Sequence, residues 1–337
     1  MKQPARRLLV FTNAYPYPQL LYYGIFVDTQ VKHWRNSGVE VEVFFINGRR
    51  SKWNYFRGVV AWTWKMIRAG RDYDAIVAHH SYCVLIAAFI RPPGLPLIYQ
   101  VHEGTIHFWK LNELLVRLAV RLSDKVIYVS RNLPDHLGYV ISERDIIPCG
   151  VDLDLFRPGD RDEARRILGW DSREEIVLYA AKERKYYERY ELVVEAVEEI
   201  RREGRGVKLV RLEGVPPERV PVYLNASDLL LVASHGEGSP KIVKEGLACN
   251  RPVVALRVGS VAQLLEGVSS GFLAKNNSTD LALQMRRALA LKGAGEGREK
   301  MAPLSSRNTS AALLEACLEV IGSSAARHRK GVVTDAR

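Results

Sequence analysis

LLLVASHGEGSPKIVKEGLACNRPVVA, residues 229–255, reads as strand, glycine-rich turn, helix and strand in immediate succession. The two apolar runs, 229–234 and 253–256, are short and uninterrupted, as in strands buried on both faces of a parallel sheet. Between them Gly236 and Gly238 open a tight turn. Ser239 is expected as the N-cap and Pro240 as the first residue of the helix. A helix that begins on such a turn presents free backbone N–H groups and the positive end of its dipole, which suits a phosphate. Glu237 lies in the turn and Glu245 eight residues on, near the second helical turn. Two carboxylates there can each accept two hydrogen bonds from a polyol.

Outward from this stretch the alternation continues. Strands are expected at 8–13, 39–46, 75–80, 97–102 and 125–130, then at 176–181, 208–213, 229–234 and 253–256. Helical stripes lie between them: Val27, Val31 and Trp34; Leu114, Leu118 and Arg121; Val193, Val197 and Ile200. The pattern predicts α/β architecture with two doubly wound, Rossmann-like domains facing across a cleft. The first is expected over residues 1–150 and the second over 151–322. The helix 308–322 is a candidate for packing back on the first domain, and 323–337 reads as a frayed basic tail. The Gly-, Pro- and Asp-containing segment 147–158 is expected to hold the hinge.

Composition bounds the function. The 337 residues are 47% hydrophobic and 26% charged, as in globular proteins, and no run is long enough to span a bilayer. The apolar run after the basic first residues is too short for a signal-peptide core. Cys83, Cys149, Cys249 and Cys317 are far apart, with neither metal-ligand nor disulfide spacing, so a reducing, cytoplasmic location is expected. Net charge is +11, and residues 1–150 hold 19 Lys+Arg against 11 Asp+Glu. Such an excess fits nucleic acid, an anionic membrane or a phosphorylated substrate. No nucleic-acid-binding signature accompanies it, so no nucleic acid partner is expected. Residues 49–71 interleave seven cations with five aromatics, which fits a peripheral helix on an anionic membrane surface. There Phe56, Val60, Thr63 and Ile67 read as the buried stripe. No Gly-x-Gly-x-x-Gly follows the first strand, which argues against a dinucleotide-dependent dehydrogenase.

The stretch 237–255 closely resembles the Glu-x7-Glu motif of retaining glycosyltransferases of family 4, which have the GT-B fold. YPYP and YGIFVDTQVKHWRNSGVEVEVFFI, between residues 15 and 46, resemble that family's first loop, helix and second strand. IIPCGVDLDLFRP, 146–158, resembles its interdomain element, so the likeness runs over about residues 8–270. It implies a retaining, metal-independent hexosyl transfer from a UDP- or GDP-type nucleotide diphosphate sugar to a glycan, lipid-linked or small-molecule acceptor, with no cofactor. Glu245 would hold the ribose and Glu237 the hydroxyls of the transferred sugar. Gly238, Ser239, Pro240, Lys241 and Ile242 would lie near the diphosphate and sugar. His102, followed by Glu103 and Gly104, would line the cleft near the donor sugar, and Gly24 would bring backbone close to the phosphates. Lys241 stands where members commonly have Asn. The diphosphate's cations are expected from Arg189 and Lys185, with Lys182 in reserve, and Glu188 stands where a Lys is usual. Asp152-Leu153-Asp154 matches a metal motif of the other large transferase fold, but it lies in the interdomain element and no metal is assigned. Two alternatives stay open: an epimerase or inverting enzyme of the same architecture, and a non-catalytic sugar-nucleotide-binding subunit, which Glu188 would favour.

Overall fold

The computed structural model describes residues 6–102, 110–180, 189–235, 238–293 and 295–334, with side chains through Ser324. The chain forms two compact units: residues 1–148 with 306–337, and residues 149–305.

The first unit contains β1 (Arg7–Thr12), α1 (Ile25–Asn36), β2 (Glu40–Phe45), α2 (Trp53–Ala69), β3 (Ala75–Ala78), α3 (Ser81–Ile90), β4 (Leu97–Val101), α4 (Lys110–Leu122), β5 (Lys125–Tyr128) and α5 (Asn132–Leu137). Its strands are parallel in the order β2-β1-β3-β4-β5. The second unit contains α6 (Arg161–Leu168), β6 (Glu175–Tyr179), α7 (Tyr190–Arg202), β7 (Val207–Arg211), α8 (Val220–Ala226), β8 (Leu229–Val232), α9 (Lys241–Ala248), β9 (Val253–Leu256), α10 (Val261–Leu265), β10 (Gly271–Ala274), α11 (Ser278–Leu289) and α12 (Arg298–Met301). Its order is β7-β6-β8-β9-β10, again all parallel. Counted within each unit, the two orders are the same 2-1-3-4-5 arrangement. Its direction reverses between the first and third strands, and loops at that point are where doubly wound sheets hold ligands.

The inner strands are short, apolar and almost wholly buried, whereas the edge strands β2, β7 and β10 are only partly buried. Leu8–Phe11 and Leu229–Val232 are at most 1% exposed. α1 covers its sheet with Val27, Val31 and Trp34, and α7 does so with Val193, Val197 and Ile200. In the second unit the starts of β6 and β8 are tied by Asp228, whose Oδ2 accepts from the Ile176 N–H at 2.7 Å and from Arg165 Nη2 at 2.7 Å. Arg165 is 1% exposed and also donates to the Ala226 carbonyl. Removing one partner of such a buried pair costs about 3–5 kcal/mol.

Several features differ from the sequence reading. β10 was not anticipated; it is a four-residue edge strand beginning at Gly271 and paired only with β9, too short for a pattern. The boundary between the units falls inside the expected segment 147–158, between 148 and 149, and the rest of that segment is held in the second unit. Val151 and Phe156 are buried, and Arg298 donates to the carbonyls of Leu153 and Phe156, anchoring the segment in the second unit. As expected of the helix at 308–322, the last helix, α13 (Ser306–Thr334), packs in the first unit, where Leu313, Cys317 and Val320 enter the core and Trp34 Nε1 donates to the Ser310 carbonyl at 2.8 Å. Its backbone stays helical through Thr334 rather than fraying at 323, since Ala, Arg and Lys are among the best helix formers. The stripes expected on α2 and α4 are inverted. α2 buries Gly58, Trp62 and Met66 and leaves Phe56, Val60 and Ile67 outside. α4 buries Val116 and Ala119, leaving Leu114, Leu118 and Arg121 exposed. Apolar residues occupy both sides of α2, so spacing alone did not say which side met the sheet. Among the described residues no helix is long and apolar enough to cross a membrane.

Candidate functional site

The second unit's site grows from α9. Eight residues of helix start at Lys241 with Pro240, φ −64° and ψ 107°, as N-cap. Ser239 is therefore not the cap. Its hydroxyl instead accepts from Lys244 Nζ at 2.5 Å. Lys244 also donates to the Cys149 carbonyl, so one ammonium joins the turn before α9, the helix and the first residue of the unit. Lys244 is fully buried, and burial pushes its pKa down to about 8. The sequence reading missed it, although its signal was present. Lys244 stands three and four residues before Leu247 and Ala248, on the side of α9 that packs inward.

Glu245 follows directly. Its side chain is 13% exposed, and burial pushes its pKa up, while Lys241 and Lys244 pull the other way. Lys241 Nζ lies 3.9 Å from Glu245 Oε1, one helical turn away. Lys241 thus places a positive charge at the helix's positive end, a combination suited to a polyanion. Pairing Lys241 with Glu245 also keeps that carboxylate from standing alone in a poorly hydrated place. The Gly238 carbonyl accepts from Ser260 Oγ at 3.2 Å, which pins the turn from the start of α10. Gly238, Ser239, Pro240, Lys241, Ile242 and Glu245 are thus contiguous at the carboxyl edge of β8. Gly236 and Glu237 lie outside the described residues.

β6 and β8 flank the reversal of strand order, and the structure joins the chains leaving them. Arg189, just before α7, donates from Nε to His235 Nδ1 at 3.2 Å. His235 opens the glycine-rich turn. Burial lowers the pKa of Arg189, and burial followed by the Arg189 charge lowers that of His235, so the imidazole tends to stay neutral and accept. Arg189 therefore reaches the turn that precedes α9. Lys182, Lys185 and Glu188 lie outside the described residues.

In the first unit His102 ends β4. Its ring lies against Phe26 of α1, centroids 4.4 Å apart, and its Nε2 is 3.2 Å from Nδ1 of His79 at the end of β3. Burial drives His79 down to about 3, so it is a neutral partner that orients His102. Sequence reasoning missed His79, which reads as one more residue of a buried strand. Gly24 is the N-cap of α1 at φ +68°. A Cβ there would sit 2.1 Å from the Ala14 carbonyl carbon and oxygen, so only glycine fits. The close approach that requires Gly24 is thus to the chain's own loop after β1. Glu103 and Gly104 lie outside the described residues.

Asp152 Oδ1 accepts from the N–H groups of Asp154 and Leu155, both at 3.0 Å, which makes the Asp-Leu-Asp run a self-capped turn. Among the described residues no group of three His, Cys, Asp or Glu side chains could hold a metal.

Comparison with known proteins bears on the family and the fold. Residues 10–155 match the family model described as Glycosyltransferase Family 4, and residues 189–290 match that of Glycosyl transferases group 1. Among curated proteins, the D-inositol 3-phosphate glycosyltransferase of Nocardiopsis dassonvillei is 30% identical over 210 residues, covering 52% of this chain and 49% of that protein. The enzyme of the same name from Segniliparus rotundus is 27% identical over 224 residues, 53% of this chain and 50% of that one. The chain spans about half the length of these curated relatives. Among solved structures, sucrose-phosphate synthase from Thermosynechococcus elongatus superposes with a TM-score of 0.68 at 16% identity, covering 98% of this chain and 100% of that one. Anabaena Alr3699/HepE in complex with UDP-glucose gives 0.59 at 18% identity, covering 96% and 99%. These likenesses establish the fold as GT-B. The first unit's sheet thus carries the match to glycosyltransferase family 4, and the second unit's sheet the match to glycosyl transferases group 1.

Proposed function

We propose that the chain transfers a hexosyl group from a nucleotide diphosphate sugar to an acceptor hydroxyl, with retention at the anomeric carbon and without a metal. The observation that carries this reading is the start of α9: a helix N-terminus with Lys241 on it, Glu245 one turn in, and a turn held from behind by Lys244 and Ser260. Glu245 accepts ribose hydroxyls. Glu237, by the family's motif, takes hydroxyls of the transferred sugar. Arg189, Lys241 and the first N–H groups of α9 stabilise the departing diphosphate, a preorganised electrostatic effect that acts where charge develops. Lys185 joins them by the same resemblance. The acceptor hydroxyl attacks the anomeric carbon on the face from which the diphosphate leaves. Its proton passes to a departing phosphate oxygen, so no separate base is required. By the same resemblance His102, oriented by His79, is the proposed site residue of the first unit.

The base of the donor is uracil or guanine; UDP-glucose bound to the Anabaena protein and the name of the curated relatives make UDP-sugars and a phosphorylated polyol acceptor the first to test. Thermal-shift screening of UDP, GDP and their sugars is expected to find one stabilising nucleotide. Transfer is then read with D-inositol 3-phosphate, lipid-linked and glycan acceptors. A second reading, a sugar-nucleotide-binding subunit without activity, is favoured by Glu188 in place of the usual Lys. It predicts nucleotide binding with no turnover on any acceptor, and restored turnover in Glu188→Lys.

A further inference from the structure

The first unit turns an unusual surface outward. On α2, Trp53, Phe56, Val60, Trp64 and Ile67 recur at helical spacing, and they are 74, 65, 47, 57 and 73% exposed. They form one face of the helix, opposite the Gly58, Trp62 and Met66 face that meets the sheet. α3 packs against α2 on one side and α4 on the other, so the three helices make a continuous layer. α3 adds Phe89, and α4 adds Leu111, Leu114 and Leu118, all exposed. Single exposed apolar side chains are ordinary. Nine on three adjoining helices, at the spacing of a buried stripe, make a patch that marks an interaction surface.

The charges around the patch identify what it meets. Residues 49–71 contain seven cations and no acid, α3 contains no charge, and α4 contains a single acid, Glu113. Glu113 is already bound by Arg117 at 2.7 Å. Lys65 turns inward to Glu42, whereas Arg49, Arg50, Lys52, Arg57, Arg68 and Arg71 are exposed. The Arg68 guanidinium lies 5.0 Å over the Trp64 ring, an arrangement in which apolar ring and cation face the same medium. A second copy of this chain would bring a like-charged layer against it, which is unfavourable. An anionic bilayer offers both an apolar depth for the aromatics and phosphates for the arginines.

We propose that the α2–α3–α4 layer of the first unit docks on an anionic lipid surface, with the aromatic face of α2 entering the headgroup boundary. This goes beyond the transferase reading, and its test needs no turnover, so either can fail alone. The full chain is sedimented with vesicles of equal parts phosphatidylglycerol and phosphatidylcholine, and with phosphatidylcholine alone. Binding is expected on the anionic vesicles and is weakened as salt rises, because screening shortens to ~3 Å near 1 M. Two pairs of exposed substitutions, Arg57→Glu with Arg68→Glu and Phe56→Ser with Ile67→Ser, are each expected to weaken binding at least about tenfold while leaving the unfolding midpoint unchanged. Wild type that stays in the supernatant, or variants that bind as wild type does, would overturn the proposal. So would a dimer that Phe56→Ser with Ile67→Ser disperses while vesicles are ignored, since the layer would then belong to a second copy.

Discussion

In the second unit, α7 turns Val193, Val197 and Ile200 onto its sheet and shows Glu191, Glu195, Arg201 and Arg202 to solvent. In the first unit, α2 joins β2 to β3 in a sheet of the same strand order, yet it shows Phe56, Trp64 and Ile67 outward. A shared strand order therefore fixes where ligand loops emerge and says nothing about what the outer helices meet. The second unit has its candidate site in the loops beside β6 and β8, behind an ordinary polar exterior. The first unit carries its distinctive residues on the outside of a helix layer. The same contrast holds within the first unit, between Trp34 of α1, which is buried, and Trp64 of α2, which is not.

The largest effect is expected where that contrast is sharpest. Trp34→Ala removes a buried indole and its hydrogen bond to the Ser310 carbonyl, and should lower unfolding free energy by about 3–5 kcal/mol in denaturant titrations. A loss near zero would mean that α13 does not hold α1. In the second unit, Glu245→Ala should raise the donor KM about 10- to 100-fold, as expected for losing charged hydrogen bonds of about 1.5–3 kcal/mol, while stability changes little. An unchanged KM would remove Glu245 from the donor site.

Lys244→Met tests how the turn before α9 is held. The folded pKa of Lys244 is about 8, below the ~10.4 of an unfolded lysine. Between those values the unfolded chain binds more protons, so this residue's contribution to stability rises with pH. The difference in denaturation midpoint between wild type and Lys244→Met should accordingly move in favour of wild type from pH ~8 to pH ~10. A pH-independent difference would show that the ammonium is not desolvated. The smallest effect closes the comparison: Trp64→Ala should change unfolding free energy by less than about 0.5 kcal/mol. A loss comparable to that of Trp34→Ala would mean that α2 packs through its outer face.

Both doubly wound sheets are legible chiefly through their inner strands, which are buried on both faces and read as uninterrupted apolar runs. The βαβ unit around α9 is legible in outline: β9 falls on 253–256 as expected, β8 stops at Val232 rather than 234, and Pro240 rather than Ser239 caps the helix. What failed did so for physical reasons. Periodicity reports that a helix has an apolar face and not which way it points, so Phe56, Val60 and Ile67 were assigned inward, with Leu114 and Leu118. Trp62 and Met66, the true inward residues of α2, are as apolar as the outward ones. Lys244 was overlooked because a charge on a helix is ordinarily solvated. Its place on the inward side of a helix whose next turn is Leu247 and Ala248 was the available signal. His79 and His235 act through partners distant in sequence, His102 and Arg189, and such pairing is invisible before folding.

The central claim, that the turn and helix from Glu237 to Glu245 hold the donor of a sugar transfer, is tested most directly by one assay. Wild type and Glu245→Ala are incubated with radiolabelled UDP- and GDP-sugars and the acceptor panel, and the anomeric configuration of any product is read by NMR. The account predicts that wild type turns over one donor into a product of the same anomeric configuration and that Glu245→Ala needs far more donor to do so. Turnover that ignores Glu245, a product of inverted configuration, or a wild type that neither binds nor consumes any sugar nucleotide would contradict it.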